Sequence, residues 1–345
     1  MKITAKVATL ALGTIFALPL VNAQNYTVTD LGVLSGSYSI GNSVNNVGAV
    51  AGTASTTLDL FTHAFVWTAK GGIQDVGSLG GDLSVGLGIN DFGVVVGSSQ
   101  TTGDLQTHAF VYNGSMTDIG TLGGEFSQAN GINLLEQVVG ASTLTGEAST
   151  HAFYWDPKHG LKDLGTLGGS NSSANAISLL GVVVGSADLA DGVSTDAARW
   201  DSKGVHDLGN LGVASAEANG VNALGQVVGD SGTTAGQIHG FLYSAHKIKD
   251  LGTLGGTYSV ASGINLEGQV VGTATIANDA DYHAFIWTAK SGMVDLNSKI
   301  GTASSVWDLN AASSINLLGQ IAGTGTTTDV NGNPETHAVL LTPTK

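Results

Sequence analysis

The stretch DLGTLGG at 163–169 decides the fold, because the chain repeats it. The same seven residues return at 250–256, and close copies stand at 75–81 (DVGSLGG) and 118–124 (DIGTLGG). The aspartate that opens the motif recurs at intervals of 43 to 45 residues. These aspartates are Asp30, Asp75, Asp118, Asp163, Asp207, Asp250 and Asp295. The sequence therefore predicts seven copies of one structural unit.

Three further signals recur between the aspartates: an Ile-Asn or Val-Asn step, a Val-Val-Gly stretch and a His-Ala-Phe stretch. The aspartate precedes the Ile-Asn step by 14 residues in six copies and by 20 in the last. The Ile-Asn step precedes Val-Val-Gly by 6 residues in all seven, whereas Val-Val-Gly to His-Ala-Phe varies from 12 to 16. Constant spacing indicates paired strands, and variable spacing indicates loops.

Each copy has the pattern of four short strands. The first strand alternates small residues on one face, as Ser259, Ala261 and Gly263 do. A turn of the form Asn-x-x-Gly follows, which suits a type I turn. Val-Val-Gly then forms the second strand, His-Ala-Phe the third, and the stretch ending in Asp-Leu-Gly the fourth. Four strands in 43–45 residues are typical of a β-propeller blade.

The two ends of the repeat region complement each other. The last copy ends with its third strand at 337–341, and 26–32 has the pattern of a fourth strand without the first three. We expect an all-β, seven-bladed β-propeller with four antiparallel strands per blade, closed by the N-terminal strand pairing with the last blade. A β-solenoid is the alternative, but its coils are shorter and need no complementary ends.

The N-terminus has the features of a secretory signal peptide. Met1–Lys6 carries two lysines, an apolar run of 14 residues follows, and small residues precede Gln24. A membrane anchor is the alternative, but a span needs about 20 apolar residues. We expect a signal peptide at 1–23, cleaved near Ala23, and a single propeller domain at 24–345. The mature protein is predicted to be secreted or periplasmic.

Charge restricts the predicted partners. The whole chain carries a formal charge of −15, and removing Lys2 and Lys6 leaves 10 basic against 27 acidic residues. This balance argues against nucleic acid or an anionic membrane as partner. The prediction is a monomer that binds an extracellular ligand or protein, without nucleic acid and without membrane insertion. No cysteine is present for a disulfide or a lipid anchor.

The repeated motifs resemble those of the HAF family of extracellular repeat proteins of bacteria. The resemblance covers 26–341, and the family's name motif falls on His63, Ala64 and Phe65 and their equivalents. It implies export and repeat identity, but no activity. The fourth copy departs from the pattern, because Asp196-Ala-Ala-Arg-Trp200 has lost both His and Phe.

The repeated histidines and aspartates are predicted to be structural, since a catalytic pair is needed once and a structural pair in every copy. A buried His costs about 1–3 kcal/mol if it is unpaired, and a hydrogen bond to the motif aspartate would remove that cost. The predicted network comprises His63, His108, His151, His239, His283 and His337 with Asp75, Asp118, Asp163, Asp207 and Asp250.

Charges are predicted to separate onto two faces. The loops between second and third strands, on the predicted top face, contain acidic residues and no Lys or Arg. These residues are Asp59, Asp104, Glu147, Asp188, Asp191, Asp230, Asp279, Asp281, Asp329 and Glu335. The opposite face carries Lys70, Lys158, Lys162, Lys203, Lys247, Lys249 and Lys290. The alternative is that these charges serve only solubility.

Residues that break the repeat are candidates for a site. On the first strand they are Gln128 and Glu217, with Asn42, Asn130, Asn175 and Asn219 predicted to line the channel. The six-residue insertion in the last connector carries Trp307 and Asp308. A lone exposed Trp near a channel mouth suits a binding site, or it could plug the channel.

The predicted function is that of an exported, non-enzymatic propeller that binds a ligand or protein through its acidic top face. The candidate binding residues are Trp307, Asp308, Glu217, Gln128, Asp104, Asp188, Asp279 and Asp281. No metal or cofactor motif is present, although Asp279 and Asp281 are candidates for a Ca²⁺ ion. The Gly-Asp-Ser-Gly stretch at 229–232 is explained by the repeat.

Two alternatives remain open. A hydrolase or lyase at the channel mouth would need an unrepeated cluster on the top face, whereas the unrepeated His159, His206 and His246 are predicted on the bottom. A surface structural or adhesive protein would show calcium-dependent stability or self-association.

Overall fold

The structure, a computed structural model, describes residues 25–146 and 148–344. The predicted signal peptide at 1–23 lies outside the described residues, as does Glu147. Within the described part, no helix is long and apolar enough to cross a membrane.

Strands dominate every repeat. The opening strand and first repeat are β1 Tyr26–Asp30, β2 Ser39–Val44, β3 Val50–Ser55, β4 Thr62–Thr68 and β5 Gly72–Asp75. The second and third repeats are β6 Gly80–Ile89, β7 Val95–Thr101, β8 Thr107–Tyr112, β9 Met116–Asp118, β10 Gly123–Ile132, β11 Val138–Leu144, β12 Thr150–Asp156 and β13 Gly160–Asp163.

The remaining repeats continue the pattern. The fourth and fifth are β14 Gly168–Ile177, β15 Val183–Leu189, β16 Thr195–Asp201, β17 Gly204–Gly209, β18 Gly212–Val221, β19 Val227–Thr233, β20 Ile238–Ser244 and β21 Lys247–Asp250. The sixth and seventh are β22 Gly255–Ile264, β23 Val270–Ile276, β24 Tyr282–Thr288, β25 Gly292–Asp295, β26 Asp308–Ile315, β27 Ile321–Thr328 and β28 Pro334–Pro343. Short 3₁₀ turns lie at Thr57–Asp59, Ala277–Asp279, Leu296–Lys299 and Gly301–Ser305.

Within a repeat, consecutive strands pair antiparallel in chain order, as β6 with β7, β7 with β8 and β8 with β9. The prediction of an all-β chain built from repeated four-stranded units, with a propeller-like fold, is confirmed. The sequence pattern explains the core: the Phe of His-Ala-Phe is fully buried in five repeats. These residues are Phe65, Phe110, Phe153, Phe241 and Phe285. In the fourth repeat Ala198 takes that position, and the nearby Trp200 is also buried.

The DLGTLGG motif connects the outermost strand of one repeat to the first strand of the next. β13 ends at Asp163 and β14 begins at Gly168. Gly165 and Gly168 have φ of +71° and +104°, which side chains disfavour. The carboxylate of Asp163 accepts a hydrogen bond from the Gly165 amide at 2.7 Å. The motif recurs because every repeat makes this same reversal.

The N-terminal strand pairs with the last strand of the chain. β1 lies antiparallel to β28, with Tyr26 opposite Pro343 and Asp30 opposite Val339. The Leu31 amide extends the pairing by donating to the Ala338 carbonyl at 3.0 Å. The pairing predicted from the complementary ends is therefore present, and β1 supplies the fourth strand of the seventh repeat.

The Asn of the Ile-Asn step links neighbouring repeats. Its side-chain oxygen accepts hydrogen bonds from its own turn, as Asn45 Oδ1 does from the amides of Val47 and Ala49. Its Nδ2 donates to the equivalent carbonyl of the next repeat. These bonds run Asn45 to Asn90, Asn90 to Asn133, Asn133 to Ser178, Asn222 to Asn265, Asn265 to Asn316 and Asn316 back to Asn45. Ser178 has no side-chain amide. Among the described residues, the ring of hydrogen bonds between neighbouring repeats is therefore interrupted at this one position.

Candidate functional site

The first strands of all seven repeats line an axial channel with two connected levels. A lower cavity of about 390 Å³ is lined by the Ile-Asn turns of every repeat. An upper cavity of about 210 Å³ is lined by residues two to three positions earlier on the same strands. We call the end with the Ile-Asn turns the lower mouth and the opposite end the upper mouth.

The upper level carries the amides predicted to line the channel. Asn42, Asn130, Asn175 and Asn219 all line the upper cavity. Their amides also bridge repeats, as Asn130 Nδ2 does by donating to the Ala174 carbonyl at 2.9 Å. The other repeats have Leu87, Ser262 and Ser313 in the cavity wall. The amides are therefore distributed unevenly around the channel.

Repeats three to five form a polar arc, which we define as Gln128, Asn130, Ser173, Asn175, Glu217 and Asn219. Gln128 Nε2 donates to Asn130 Oδ1 at 2.9 Å, and Ser173 Oγ donates to Asn175 Oδ1 at 3.1 Å. Asn175 Nδ2 donates to Glu217 Oε1 at 2.7 Å. The arc joins three consecutive repeats in one hydrogen-bonded series. It brings together the predicted residues Gln128, Glu217 and the asparagines.

Three other repeats have apolar residues at the level of Gln128. The positions equivalent to Gln128 are Ile40 and Val85 in the first two repeats and Val260 in the sixth, as their opposite partners on the second strands show. Leu87 lines the cavity where the arc has Asn130. Since Asn42, Ser262 and Ser313 also line the cavity, polar groups are concentrated in the arc but are not confined to it.

A carboxyl pair lies at one end of the arc. Glu217 on β18 stands directly opposite Asp230 on β19, which places their Cβ atoms about 5 Å apart. Burial raises the pKa of Asp230 to about 6, the Glu217 charge adds to the rise, and a hydrogen bond from Asn219 opposes it. That bond joins Asn219 Nδ2 to Asp230 Oδ1 at 3.0 Å.

Sequence reasoning missed this pair. The repeat explains the position of Asp230 within Gly-Asp-Ser-Gly, but not its carboxylate, because other repeats have Thr, Ser or Ala there. Antiparallel pairing of β18 with β19 places Glu217 opposite it. The signal available in the sequence was that two acidic residues replace the non-acidic residues of the other repeats, at positions that face each other across paired strands.

The structure places the predicted binding residue Trp307 outside the channel. Trp307 is half-buried and packs against a core cluster that includes Leu296, Ile300 and Leu309. Its ring centre lies 6.3 Å from that of His337, and it lines neither cavity. The insertion forms two 3₁₀ turns that bury Leu296 and Ile300, so it neither presents the Trp at the mouth nor plugs the channel.

Asp308 also has a local partner. Its Oδ1 accepts a hydrogen bond from Asn297 Nδ2 at 3.2 Å and lies 3.7 Å from His283 Nε2. These contacts tie the insertion to β26. Asp308 is thus the first residue of β26, beside the connector, and lines neither cavity.

The loop carboxylates are used to fasten their own loops. Asp104 Oδ1 accepts from the Asp82 amide at 2.8 Å, and Asp279 Oδ1 accepts from the Thr257 amide at 2.7 Å. Asp188 Oδ2 accepts from both nitrogens of Asn171, and Asp281 Oδ1 from the Tyr282 amide. A hydrogen bond from the Thr275 hydroxyl, together with bonds from the Thr257 amide and hydroxyl, lowers the pKa of Asp279. The carboxylates stabilise separate loops rather than forming one site.

No group of three or more His, Asp or Glu side chains suited to a metal occurs among the described residues. The predicted Ca²⁺ candidates, Asp279 and Asp281, do not form such a group. Asp279 is instead bonded to Thr257 and Thr275.

The repeated histidines stand beside the motif aspartates. Nδ1 of His63 lies 2.8 Å from Asp75, and Nδ1 of His151 lies 2.8 Å from Asp163. The same contact joins His108 to Asp118, His239 to Asp250, His283 to Asp295 and His337 to Asp30. In the fourth repeat Asp196 replaces His and accepts from Asn210 Nδ2 at 2.9 Å. Burial, with Asp207 nearby, raises the pKa of Asp196.

No family model matches the chain, and no curated protein matches it. Among solved structures, a gluconolactonase from Xanthomonas campestris is similar with a TM-score of 0.46 and 8% identity, over 93% of this chain and 91% of that one. TolB from Acinetobacter baumannii is similar with a TM-score of 0.42 and 11% identity, over 86% of this chain and 79% of that one. At these identities the likeness concerns the fold alone.

The predicted function, a non-enzymatic protein that binds through an acidic top face, is wrong. The loop carboxylates on which the prediction depended accept hydrogen bonds within their own repeats. The unrepeated polar groups that do converge lie in the upper channel.

Proposed function

We propose that the chain is an exported, seven-bladed β-propeller of the HAF repeat type, closed by β1 against β28. Three observations support closure. His337 contacts Asp30, although 307 residues separate them in the sequence, and a hydrogen bond from Asn316 to Asn45 joins the last turn to the first. One cavity is lined by all seven turns. Export to the periplasm or the medium is proposed from the N-terminal sequence pattern.

The proposed function is recognition of a small, hydroxyl-rich molecule in the upper channel. The polar arc is the observation that carries it. Amides offer both a donor and an acceptor, and carboxylates offer acceptors only. Such groups side by side match neighbouring hydroxyls, which also donate and accept. The arc presents Gln128, Asn175 and Glu217 across three repeats.

The rest of the channel narrows the ligand class. Next to the arc, the second repeat has Val85 and Leu87 at the positions of Gln128 and Asn130. These apolar side chains suit the C–H faces of a sugar or polyol ring. The Glu217 carboxylate is exposed and would repel an anionic ligand. An upper cavity of about 210 Å³ suits a molecule of monosaccharide size. We therefore propose a neutral polyol or monosaccharide as ligand.

A titration calorimetry panel of neutral and acidic monosaccharides and polyols tests this proposal. Glu217→Gln and Asn175→Ala should each weaken binding of a neutral ligand by roughly tenfold, because a hydrogen bond to a charged group contributes about 1.5–3 kcal/mol. Asn42→Ala is the matched control, since it removes a channel amide outside the arc. Equal losses in the control, or no binding across the panel, would overturn the proposal.

Hydrolysis of the bound molecule is a second candidate, favoured by the Glu217–Asp230 pair. A carboxyl group whose pKa is about 6 can hold a proton near neutral pH and donate it as a general acid, while the neighbouring carboxylate activates water. Lactones and glycosides of the bound class are the substrates to assay. Asp230→Asn should abolish turnover while retaining binding; turnover unchanged in this variant would exclude the pair.

A further inference from the structure

A ring of exposed apolar side chains surrounds the lower mouth of the channel. In six repeats it is formed by the third residue of the four-residue turn, counted from the Asn of the Ile-Asn step or its equivalent. These residues, the lower apolar ring, are Val47, Phe92, Leu135, Leu180, Leu224 and Leu318, each 65 to 75% exposed. The sixth repeat has Glu267 in this position. So many large apolar groups left in water at one place indicate a binding surface.

A second circle of apolar groups lies inside the first. Leu134, Leu179, Leu266 and Leu317 line the lower cavity just within the ring, and three of them are themselves exposed. The described surface around the mouth is therefore an apolar annulus over most of its circumference, interrupted by Asn46 and Asp91 in the inner circle and by Glu267 in the outer one.

The side chains of the lower apolar ring lie at one height along the channel because the turns that carry them are equivalent. The same amide-to-carbonyl hydrogen bond closes the turn in all seven repeats, from Gly48 to Asn45 in the first and from Gly319 to Asn316 in the last. The turns have equal length and are tied side by side by the asparagine bonds. Equivalent turns around one axis place their tips in one plane, so the annulus suits a flat partner.

Lysines border this annulus. The strand register puts the turns between third and fourth strands at the same end, since Val95 at the start of β7 stands opposite Tyr112 at the end of β8. Exposed lysines lie in or beside these turns in five repeats. They are Lys70, Lys158, Lys203, Lys247 and Lys290. The lower face thus combines an apolar centre with a cationic border, although the whole chain is acidic.

Five acidic groups also lie at this end, three in the Ile-Asn turns and two in the turns between third and fourth strands. Asp91 accepts from both nitrogens of Asn46, and Asp201 pairs with Arg199 and His206. Asp156 bonds to His159. The turns also carry Glu136 and Glu267. Within the border itself the five lysines and Arg199 outnumber Asp156 and Asp201, so the border has a positive character.

We propose that the lower face binds the surface of an anionic phospholipid bilayer. The lower apolar ring inserts among the headgroups, and the lysines contact the lipid phosphates. A second copy of the chain fits less well, because two lower faces would bring their lysines together. This proposal revises the prediction, made from net charge alone, that an anionic membrane is not a partner. Net charge is a poor guide here because charge is distributed unevenly between the two faces. The proposal is independent of any channel ligand.

Vesicle co-sedimentation tests it, with phosphatidylglycerol–phosphatidylcholine vesicles compared with pure phosphatidylcholine. The chain should bind the anionic vesicles at low salt and lose affinity as salt rises. Phe92→Asp with Leu180→Asp should weaken binding by about tenfold or more, because two inserted groups become charged. Lys203→Glu with Lys247→Glu should weaken it about fivefold or more per lysine.

Leu105→Asp is the matched control, because Leu105 is an equally exposed apolar residue, 80% exposed, in a loop of the opposite face. It should leave vesicle binding unchanged. All variants change exposed side chains and should melt at the wild-type temperature. Absence of binding to the anionic vesicles would overturn the proposal. So would equal weakening by Leu105→Asp, or a change of oligomeric state in the ring variants without vesicle binding.

Discussion

Nδ1 of His337 lies 3.0 Å from Oδ2 of Asp30, although 307 residues separate them. The same contact occurs within single repeats, as at His63 and Asp75 only 12 residues apart. The two ends of the chain therefore reproduce an interaction that is local everywhere else. Because β1 has no other hydrogen-bonded strand partner in the described residues, this contact and the β1–β28 ladder join the ends.

Loss of the His337 imidazole should weaken this junction without unfolding the protein. His337→Ala removes the bond to Asp30 and should lower the free energy of unfolding by about 1 kcal/mol, since the half-exposed carboxylate can bind water instead. Urea denaturation followed by circular dichroism measures the change. Lys70→Ala, at an exposed turn residue, is the control; an equal loss there would contradict the assignment.

Tyr26 should anchor β1 through its ring and not through its hydroxyl. The side chain is 3% exposed, its hydroxyl has no hydrogen-bond partner among the described residues, and burial raises its pKa to about 12. Tyr26→Phe should therefore retain stability or gain up to about 1 kcal/mol. Tyr26→Ala should lose about 3–5 kcal/mol by leaving a cavity.

The same denaturation curves give both values. A wild-type transition in Tyr26→Ala would mean that β1 is dispensable for the fold. Deleting 26–32 should go further and abolish cooperative unfolding, because β28 would then expose an unpaired edge.

An asparagine at position 178 should complete the ring of hydrogen bonds between neighbouring Ile-Asn turns. Ser178→Asn supplies an amide that can donate to the Asn222 carbonyl, as Asn133 does to the Ser178 carbonyl at 3.2 Å. We expect a gain of about 1 kcal/mol in unfolding free energy. Asn222→Ser is the reciprocal control and should lose a similar amount or more, because it also removes the bond to Gln226. A loss of stability in Ser178→Asn would show that its turn cannot accept the larger side chain.

The pH dependence of stability should report on Asp230. Its pKa is raised to about 6, so the folded state holds this proton more tightly than the unfolded state. The stability it contributes is present at about pH 4 and is lost as pH rises through about 6. Asp230→Asn does not titrate, so its advantage over wild type should grow across this range to at most roughly 3 kcal/mol.

Unfolding free energies of both proteins at pH 4, 5, 6 and 7 would display this difference. Comparison of the pair cancels the opposing effect of carboxylates such as Asp156 and Asp329, whose pKa values hydrogen bonds lower to about 2. A difference that is constant with pH would show that Asp230 is not the titrating group.

Much of the fold was predictable because each repeat solves the same local problem. The glycines of DLGTLGG recur where the backbone needs positive φ, as at Gly165 and Gly168. The Asn of the Ile-Asn step recurs because one side chain both closes its turn and bonds to the next repeat. Periodic requirements leave a periodic sequence, so strands, turns and the pairing of the ends could be inferred from spacing.

The site was predicted only in part. Gln128, Glu217 and the asparagines break or mark the repeat on a strand expected at the axis, and they line or border the upper channel. Trp307 also breaks the repeat, yet it packs into the core. A break in periodicity indicates that a position differs, but not whether its side chain faces solvent, a channel or a neighbouring sheet.

The sequence alone therefore determined the repeated strands, their connectors and the partner of the first strand, because these depend on backbone conformation and local spacing. Only the tertiary structure decided that Glu217 and Asp230 face each other and that the loop carboxylates accept hydrogen bonds within their own repeats. It also decided that the apolar turn tips share one plane, with lysines around them. These relations arise when separate repeats are brought around one axis, and no single repeat encodes them.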